Sequence, residues 1–206
     1  LPVASLIAER LQVTMLLGVC GITFALLTAV PLGVAAAIRP NSLIDRVALF
    51  LSVAGQAMPS FWFGLILIVV FAIQLGLLPP SGAATWRHFI MPTIVLGYYA
   101  MPAIMRLTRA GMLDVLNSDF IRTARAKGAG EGRVLFKHAL RNAIIPVVSL
   151  AAVQMGFMLG GSIVVESVFA LHGAGFLAWE SIARNDLPTV QALILVFSMF
   201  YIVFTF

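Results

Sequence analysis

Long stretches without a charged residue dominate this sequence. Leu11–Ile38 holds 28 uncharged residues, Val47–Trp86 holds 40, Asn142–Val165 holds 24 and Leu187–Phe206 holds 20, and a shorter run extends over residues 88–105. About 20 apolar residues cross a bilayer as a helix. We therefore expect an all-α membrane protein, a polytopic helical bundle whose five visible spans lie at about residues 11–38, 43–78, 89–116, 140–165 and 187–206.

Composition supports a membrane protein. The 206 residues are 61% hydrophobic and 10% charged, whereas soluble domains carry about 25% charged residues. The single cysteine, Cys20, lies in an apolar run, so we predict neither a disulfide framework nor a metal site. Membrane lipid is an expected partner and nucleic acid is not.

The 40-residue run is too long for one straight span. Pro59 lies near its middle, in "GQAMPSFWFG". Proline cannot donate the helical backbone hydrogen bond and clashes with the preceding turn. A broken or tilted helix over residues 43–78, closed by Pro79 and Pro80, is therefore expected.

Lysine and arginine residues predict the orientation. Of 13, eight lie within Arg106–Arg141, and Arg39 and Arg46 fall on the same side if the spans alternate. Basic loops face the cytoplasm, so residues 117–139 are expected there. The start of this sequence is then outside, and we expect a first helix, making six spans, and a C-terminal end beyond this sequence.

The basic block reads as two short helices joined by a turn. Asn117, Ser118 and Asp119 can cap free N–H groups at a helix start. Glycine at 128 and 130 is typical of a helix end, and a second helix should begin near Gly132. We name residues 117–139 the elbow. Charge alone favours the rule that cytoplasmic loops are basic as the explanation of this block, and contact with lipid head groups comes next.

The order of residues resembles a known family. "DFIRTARAKGAGEGRVLFKHALRNAIIP" (Asp119–Pro146) is similar to the EAA loop of binding-protein-dependent ABC transporter permeases, in the form of the dipeptide/oligopeptide/nickel type. The segments Pro59–Gly82, Arg106–Leu116 and Gly160–Ile182 also resemble that family. The Glu-Ala-Ala of the broader pattern is replaced by Arg-Thr-Ala at 122–124, as in the peptide-type branch.

The resemblance implies a transport subunit rather than an enzyme. It implies a multi-pass protein of a prokaryotic cytoplasmic (inner) membrane that imports peptides, nickel complexes or similar small solutes. Its expected partners are ABC ATPase subunits, a second permease subunit, usually a sister protein, and an extracytoplasmic solute-binding protein. The sequence has no phosphate loop of the G-x-x-x-x-G-K-[ST] kind, so no cofactor is expected on this chain, and ATP and Mg²⁺ belong to the partners.

By the same resemblance, the elbow is the coupling helix that contacts the ATPase. Small side chains at 124 and 126 would permit close docking, arginines at 122 and 125 could pair with partner carboxylates, and glycine at 128 permits the reversal. The predicted contact residues are Asp119, Phe120, Arg122, Thr123, Ala124, Arg125, Ala126, Lys127, Gly128, Glu131 and Arg133.

Two further sets of residues are candidates for function. Gln56, Ser149, Gln154 and Ser162 are polar groups that could line a translocation path, although each could instead form an interhelical hydrogen bond. The external loops are expected to dock the binding protein, through Pro80, Ser81, Gly82, His172, Gly173, Gly175 and Trp179. From the residues alone, anchoring at the membrane surface is the better explanation of the aromatic side chains there.

Two other classes of function stay open. An ion-gradient-driven secondary transporter is the alternative, although such carriers usually hold ionisable groups inside the membrane and the centres of the four complete spans have none. A membrane scaffold that only recruits a cytoplasmic partner is the other. No catalytic residue is predicted, because His138 and His172 fall in opposite loops, away from a useful position beside Ser162.

Overall fold

A computed structural model describes residues 3–205, and within that range the chain forms helices and turns without a strand. The helices are α1 (Val3–Ile38), α2 (Leu43–Ala57), α3 (Ser60–Leu67), α4 (Ile90–Leu116), α5 (Asp119–Ala126), α6 (Glu131–Arg133), α7 (Leu140–Val168), α8 (Ala174–Ala183) and α9 (Leu187–Thr205). A π-helix over Ile68–Gln74 continues α3, a second over Val134–Ala139 joins α6 to α7, and a 3₁₀ turn at Trp86–Phe89 precedes α4.

Four helical stretches among the described residues are long and apolar enough to cross a membrane. They are Val3–Ile38, Trp86–Leu116, Glu131–Val168 and Leu187–Thr205. The predicted all-α membrane bundle is confirmed. Phe206, the last residue of the predicted fifth span, lies outside the described residues.

The predicted span at 43–78 consists of two pieces. Helix α2 ends at Ala57 and α3 begins at Ser60, and the Pro59 between them has extended backbone angles, φ −60° and ψ 136°. The second piece ends at Gln74, and Gly76 follows with a positive φ of 62°. Proline at the junction donates no helical hydrogen bond, which accounts for the interruption.

Residues 25–57 and 100–151 form one compact unit. Its buried core brings together Val34, Ala37, Met112, Ile121, Val134, Ala139 and Ala143. A close approach of α1 and α4 depends on Gly33, where an added Cβ would lie 2.8 Å from both the Met105 carbonyl oxygen and Thr108 Cβ. This unit contains the whole elbow.

Among the described residues, 3–24, 58–99 and 152–205 form the other compact unit. Helix α8 packs there on its own core, which consists of Ile7, Ala174, Leu177, Ala178 and Leu193. This unit holds both loops that the sequence predicts to be external.

Candidate functional site

The turn after α5 has the geometry that ends a helix at glycine. The N–H of Gly128 donates to the Arg125 carbonyl at 2.9 Å, and the N–H of Ala129 donates to the Ala124 carbonyl at 3.2 Å. This pair of bonds is a Schellman motif, whose reversing residue adopts a left-handed conformation. Gly128 has φ 80°, so its conformation is one that a side chain disfavours.

Ile121 attaches the elbow to the core of its unit. It is the one buried residue of α5 and is fully inaccessible to solvent. Its cluster includes Met112 of α4, Val134 of the π-helix and Ala143 of α7. Complete burial of such a side chain contributes about 1.5–3 kcal/mol, so α5 is fixed on one side.

The other side of the elbow faces outward. Ala124 is half-buried, and the other ten predicted ATPase-contact residues are exposed. Among them, Phe120 is an exposed aromatic side chain, 45% accessible. The elbow therefore presents an exposed, largely polar surface that carries two large apolar side chains, Phe120 and Phe136. The opposite face of α5 packs against the core through Ile121.

Two of the three arginines of the elbow, Arg122 and Arg125, have partners within the chain. Arg125 donates two hydrogen bonds to the Glu131 carboxylate, at 2.9 and 3.2 Å, across the turn. These bonds raise the pKa of the Arg125 guanidinium above its ordinary value. Arg122 lies 3.3 Å from Asp119, and both side chains are almost fully exposed, so that pair contributes little to stability.

The prediction that a side chain caps the start of α5 is wrong. Ser118 occupies the N-cap position, but its side chain makes no capping hydrogen bond. Instead, the Ser118 hydroxyl donates to the Val115 carbonyl and the Asn117 amide donates to the Leu113 carbonyl. Both polar side chains thus form hydrogen bonds with carbonyl groups at the end of α4 rather than with N–H groups at the start of α5.

The four candidate path residues have different surroundings. Ser162 is buried and its hydroxyl donates to the Leu159 carbonyl within α7 at 2.8 Å. Gln56 is exposed and accepts a hydrogen bond from Arg106 at 3.2 Å. Ser149 is exposed and Gln154 is half-buried. Ser162 thus bonds within its own helix, which differs from the interhelical bond considered for it.

Some of the candidate docking residues lie on the protein surface and others are buried. Pro80, Ser81, His172 and Trp179 are exposed, with Trp179 59% accessible on α8. Gly82 is half-buried, and its N–H donates to the Phe169 carbonyl at 2.9 Å. Gly173 and Gly175 are buried. Their contribution is to the fold of this segment.

Two buried polar pairs were missed by sequence reasoning. Glu166 of α7 bonds to Thr14 of α1, and Asp45 of α2 bonds to Arg109 of α4. Glu166 ended an uncharged run and was treated as a boundary, and Arg109 was counted only as a basic loop residue. A charged residue beside an apolar run was the available signal, but the sequence does not identify its partner.

The geometry defines a class of protein: a polytopic membrane helix bundle with a solvent-exposed elbow between two of its helices, packed against the core through Ile121. Residues 29–206 match the family model described as "Binding-protein-dependent transport system inner membrane component". The chain belongs to that family, which confirms the resemblance predicted from the sequence. It is accordingly a multi-pass protein of the bacterial inner membrane.

Curated relatives extend the similarity along the chain. The chain is 44% identical over 201 residues to the "Glutathione transport system permease protein GsiC" of Pectobacterium atrosepticum, and equally to that of Escherichia coli strain K12. These matches cover 98% of this chain and 66% of each relative. The chain thus spans slightly less than two thirds of the length of these relatives.

Solved structures share the fold. An inward-facing structure of the MetNI methionine ABC transporter matches with a TM-score of 0.76 at 19% identity, covering 98% of this chain and 94% of that chain. A crystal structure of an amino acid ABC transporter with histidines matches with a TM-score of 0.73 at 17% identity, covering 98% and 90%. At these identities the likeness concerns the fold.

Proposed function

We propose that this chain is the permease subunit of an ATP-driven ABC importer and that the elbow is where its ATPase subunit binds. The observation that carries the proposal is the division of α5 into two faces. Ile121 holds one face in the core, and the face that includes Phe120 and Arg122 is exposed. A helix fixed in this way can transmit a displacement of a bound partner.

The partners follow from the family. A binding-protein-dependent inner membrane component requires a solute-binding protein outside the membrane. The proposal adds ATPase subunits that carry ATP and Mg²⁺, and a second permease subunit, which is a sister protein by resemblance. The exposed part of the segment at 172–184, above all Trp179, is proposed to contact the binding protein.

Peptides are the proposed substrate class. The relatives with 44% identity are named as glutathione transport permeases, and glutathione is a small peptide. Nickel complexes and similar small solutes stay within the proposal, because the sequence resemblance covers a branch that handles them. The binding protein is expected to select the individual solute.

Co-purification tests the proposal. The full-length protein is isolated from native membranes in mild detergent, and the bound proteins are identified. Replacing Phe120 by Ser and Arg122 by Glu together should remove an ATPase subunit that the unaltered protein recovers. A matched variant, Trp179→Ser, alters an exposed aromatic residue of α8 and should keep the ATPase. Equal recovery with both variants would contradict the elbow as the binding site.

An ion-gradient-driven carrier is the second candidate, and buried Glu166 is the observation that favours it. Carriers of that class use ionisable residues inside the membrane. Solute uptake into vesicles that contain this protein together with its ATPase partner distinguishes the importer from the carrier. The importer transports only with ATP, whereas the carrier transports in ATP-depleted vesicles when an ion gradient is imposed.

A further inference from the structure

A buried carboxylate near the end of α7 connects three helices. Glu166 is fully buried. Its Oε1 accepts a hydrogen bond from the Thr14 hydroxyl at 2.7 Å, and its Oε2 accepts one from the Phe176 backbone N–H at 2.7 Å. Thr14 is also fully buried, and its Oγ1 accepts a hydrogen bond from the Ala174 N–H at 2.8 Å. Thus α1 and α7 both bond to the start of α8.

These bonds supply the cap that α8 lacks in its own sequence. The first N–H groups of a helix have no intrahelical partner, and the residue in the N-cap position here is Gly173, which has no side chain to offer. Thr14 and Glu166 serve two of these donors, those of Ala174 and Phe176. A carboxylate at a helix N-terminus is also favoured by the helix dipole.

A second side chain of α1 holds the turn before α8. Arg10 lies one helical turn before Thr14, so the two side chains share a face of α1. Arg10 Nη1 donates to the His172 carbonyl at 2.9 Å. Residues 172–174 are consequently bonded to α1 at both ends.

The two glycines leave the space that the carboxylate occupies. A Cβ at Gly173 would lie 2.6 Å from both Glu166 Oε2 and Thr14 Oγ1, and a Cβ at Gly175 would lie 3.0 Å from Glu166 Oε2 and from the Ile163 backbone. Real Cβ atoms do not approach other atoms to 2.6 Å, so a side chain at Gly173 would displace the carboxylate. The two glycines of "HGAG", at 173 and 175, therefore leave room for the Glu166 carboxylate at the start of α8.

We propose that Thr14 and Glu166 are positioning residues that hold α8 in place before any partner arrives. Trp179 and Ile182, which lie three residues apart on α8, are 59% and 57% exposed. With α8 fixed, these side chains form an ordered surface, which avoids the cost of ordering a loop on binding. The role of this surface in docking the solute-binding protein rests on the proposed function; the fixing of α8 does not.

Hydrogen exchange measured by mass spectrometry tests the fixing of α8 without any partner. The full-length protein in lipid nanodiscs is compared with Thr14→Val, which has the same shape but no hydroxyl, and Thr14→Ser, which keeps the hydroxyl. Thr14→Val removes both hydrogen bonds of the Thr14 hydroxyl, which corresponds to opening that is at least roughly tenfold more frequent. We expect peptides covering 172–184 to exchange about tenfold faster in Thr14→Val, and to exchange at the original rate in Thr14→Ser.

Peptides covering 119–127 are the internal control, because the elbow belongs to the other compact unit. Glu166→Ala should produce a larger effect than Thr14→Val, confined to the same segment. Unchanged exchange over 172–184 in both variants would overturn the proposal. Equal acceleration in the elbow and in α8 would also overturn it, since that result means a general loss of stability.

A titration with the binding protein tests the consequence for docking. In reconstituted transport, Thr14→Val should raise the binding-protein concentration needed for half-maximal uptake and leave the maximal rate unchanged, and Thr14→Ser should restore the original value. Faster exchange of α8 without any change in this titration would retain the fixing of α8 and refute its role in docking. If the unaltered protein shows no ATP-driven uptake, the proposed function fails, whereas the hydrogen-exchange result for α8 does not depend on transport.

Discussion

Arg109 and Asp45 lie 64 residues apart in the chain and form a two-pronged ion pair. Arg109 Nε is 2.6 Å from Asp45 Oδ1, and Nη2 is 2.8 Å from Oδ2. The Asp45 side chain is 2% exposed and that of Arg109 is 23% exposed. The Asn41 N–H donates a further hydrogen bond to Oδ2 at 2.9 Å. This pair joins the start of α2 to α4 within one compact unit.

Removing one partner of this pair should destabilise the protein. Arg109→Ala leaves a buried carboxylate without its counter-charge, a change that costs about 3 kcal/mol. We expect a clearly lower midpoint of thermal unfolding in detergent, followed by tryptophan fluorescence. Arg122→Ala, at an exposed pair of the elbow, is the matched control and should leave the midpoint unchanged. An unaltered midpoint for Arg109→Ala would show that the buried pair is dispensable.

Two neighbouring residues of α5 should separate stability from coupling. Ile121→Ala removes a fully buried side chain and should cost about 2–5 kcal/mol, seen as a lower unfolding midpoint. Phe120→Ala removes an exposed side chain and should leave the midpoint unchanged while reducing ATPase recovery. If Phe120→Ala lowered the midpoint as much as Ile121→Ala, the two-faced description of the elbow would be wrong.

The turn after α5 should depend on one glycine and not on its neighbour. Gly128 has φ 80°, a conformation that costs a residue with a side chain about 1–2 kcal/mol. Gly128→Val should therefore reduce ATP-driven transport while membrane insertion continues. Gly132 has open space around its Cβ position and lies in a helix, so Gly132→Ala should transport normally. Equal transport by both variants, at matched expression, contradicts the need for a rigid turn.

Hydropathy and local turn signals located many of the helices. The last predicted span and α9 both begin at Leu187, and the interruption at Pro59 follows from the missing N–H of proline. The helix end at Gly128 was likewise visible as a glycine after a short polar helix. In each case the physical cause is a property of the residue itself or of a short run.

Pairing between distant residues could not be predicted in the same way. Thr14 and Glu166 are 152 residues apart, and nothing local to either one identifies the other. The pairing of Arg125 with Glu131, six residues further along the same chain, was not predicted either, and the predicted contact of Arg125 with the ATPase stays a prediction. Ser118 was expected to cap α5 because its residue type favours that role, yet the end of α4 takes its hydroxyl. Such competition is decided by tertiary geometry.

The elbow as the site that binds the ATPase is the central claim, and site-specific photo-cross-linking in living cells tests it most directly. Benzoylphenylalanine replaces Phe120 in one full-length variant and Trp179 in another; both are exposed aromatic residues, at 45% and 59%. The account predicts that position 120 cross-links to an ATPase with a phosphate loop, and that position 179 cross-links to the solute-binding protein and never to the ATPase. An ATPase cross-link from position 179, or its absence from position 120 in a complex that transports, would contradict the account.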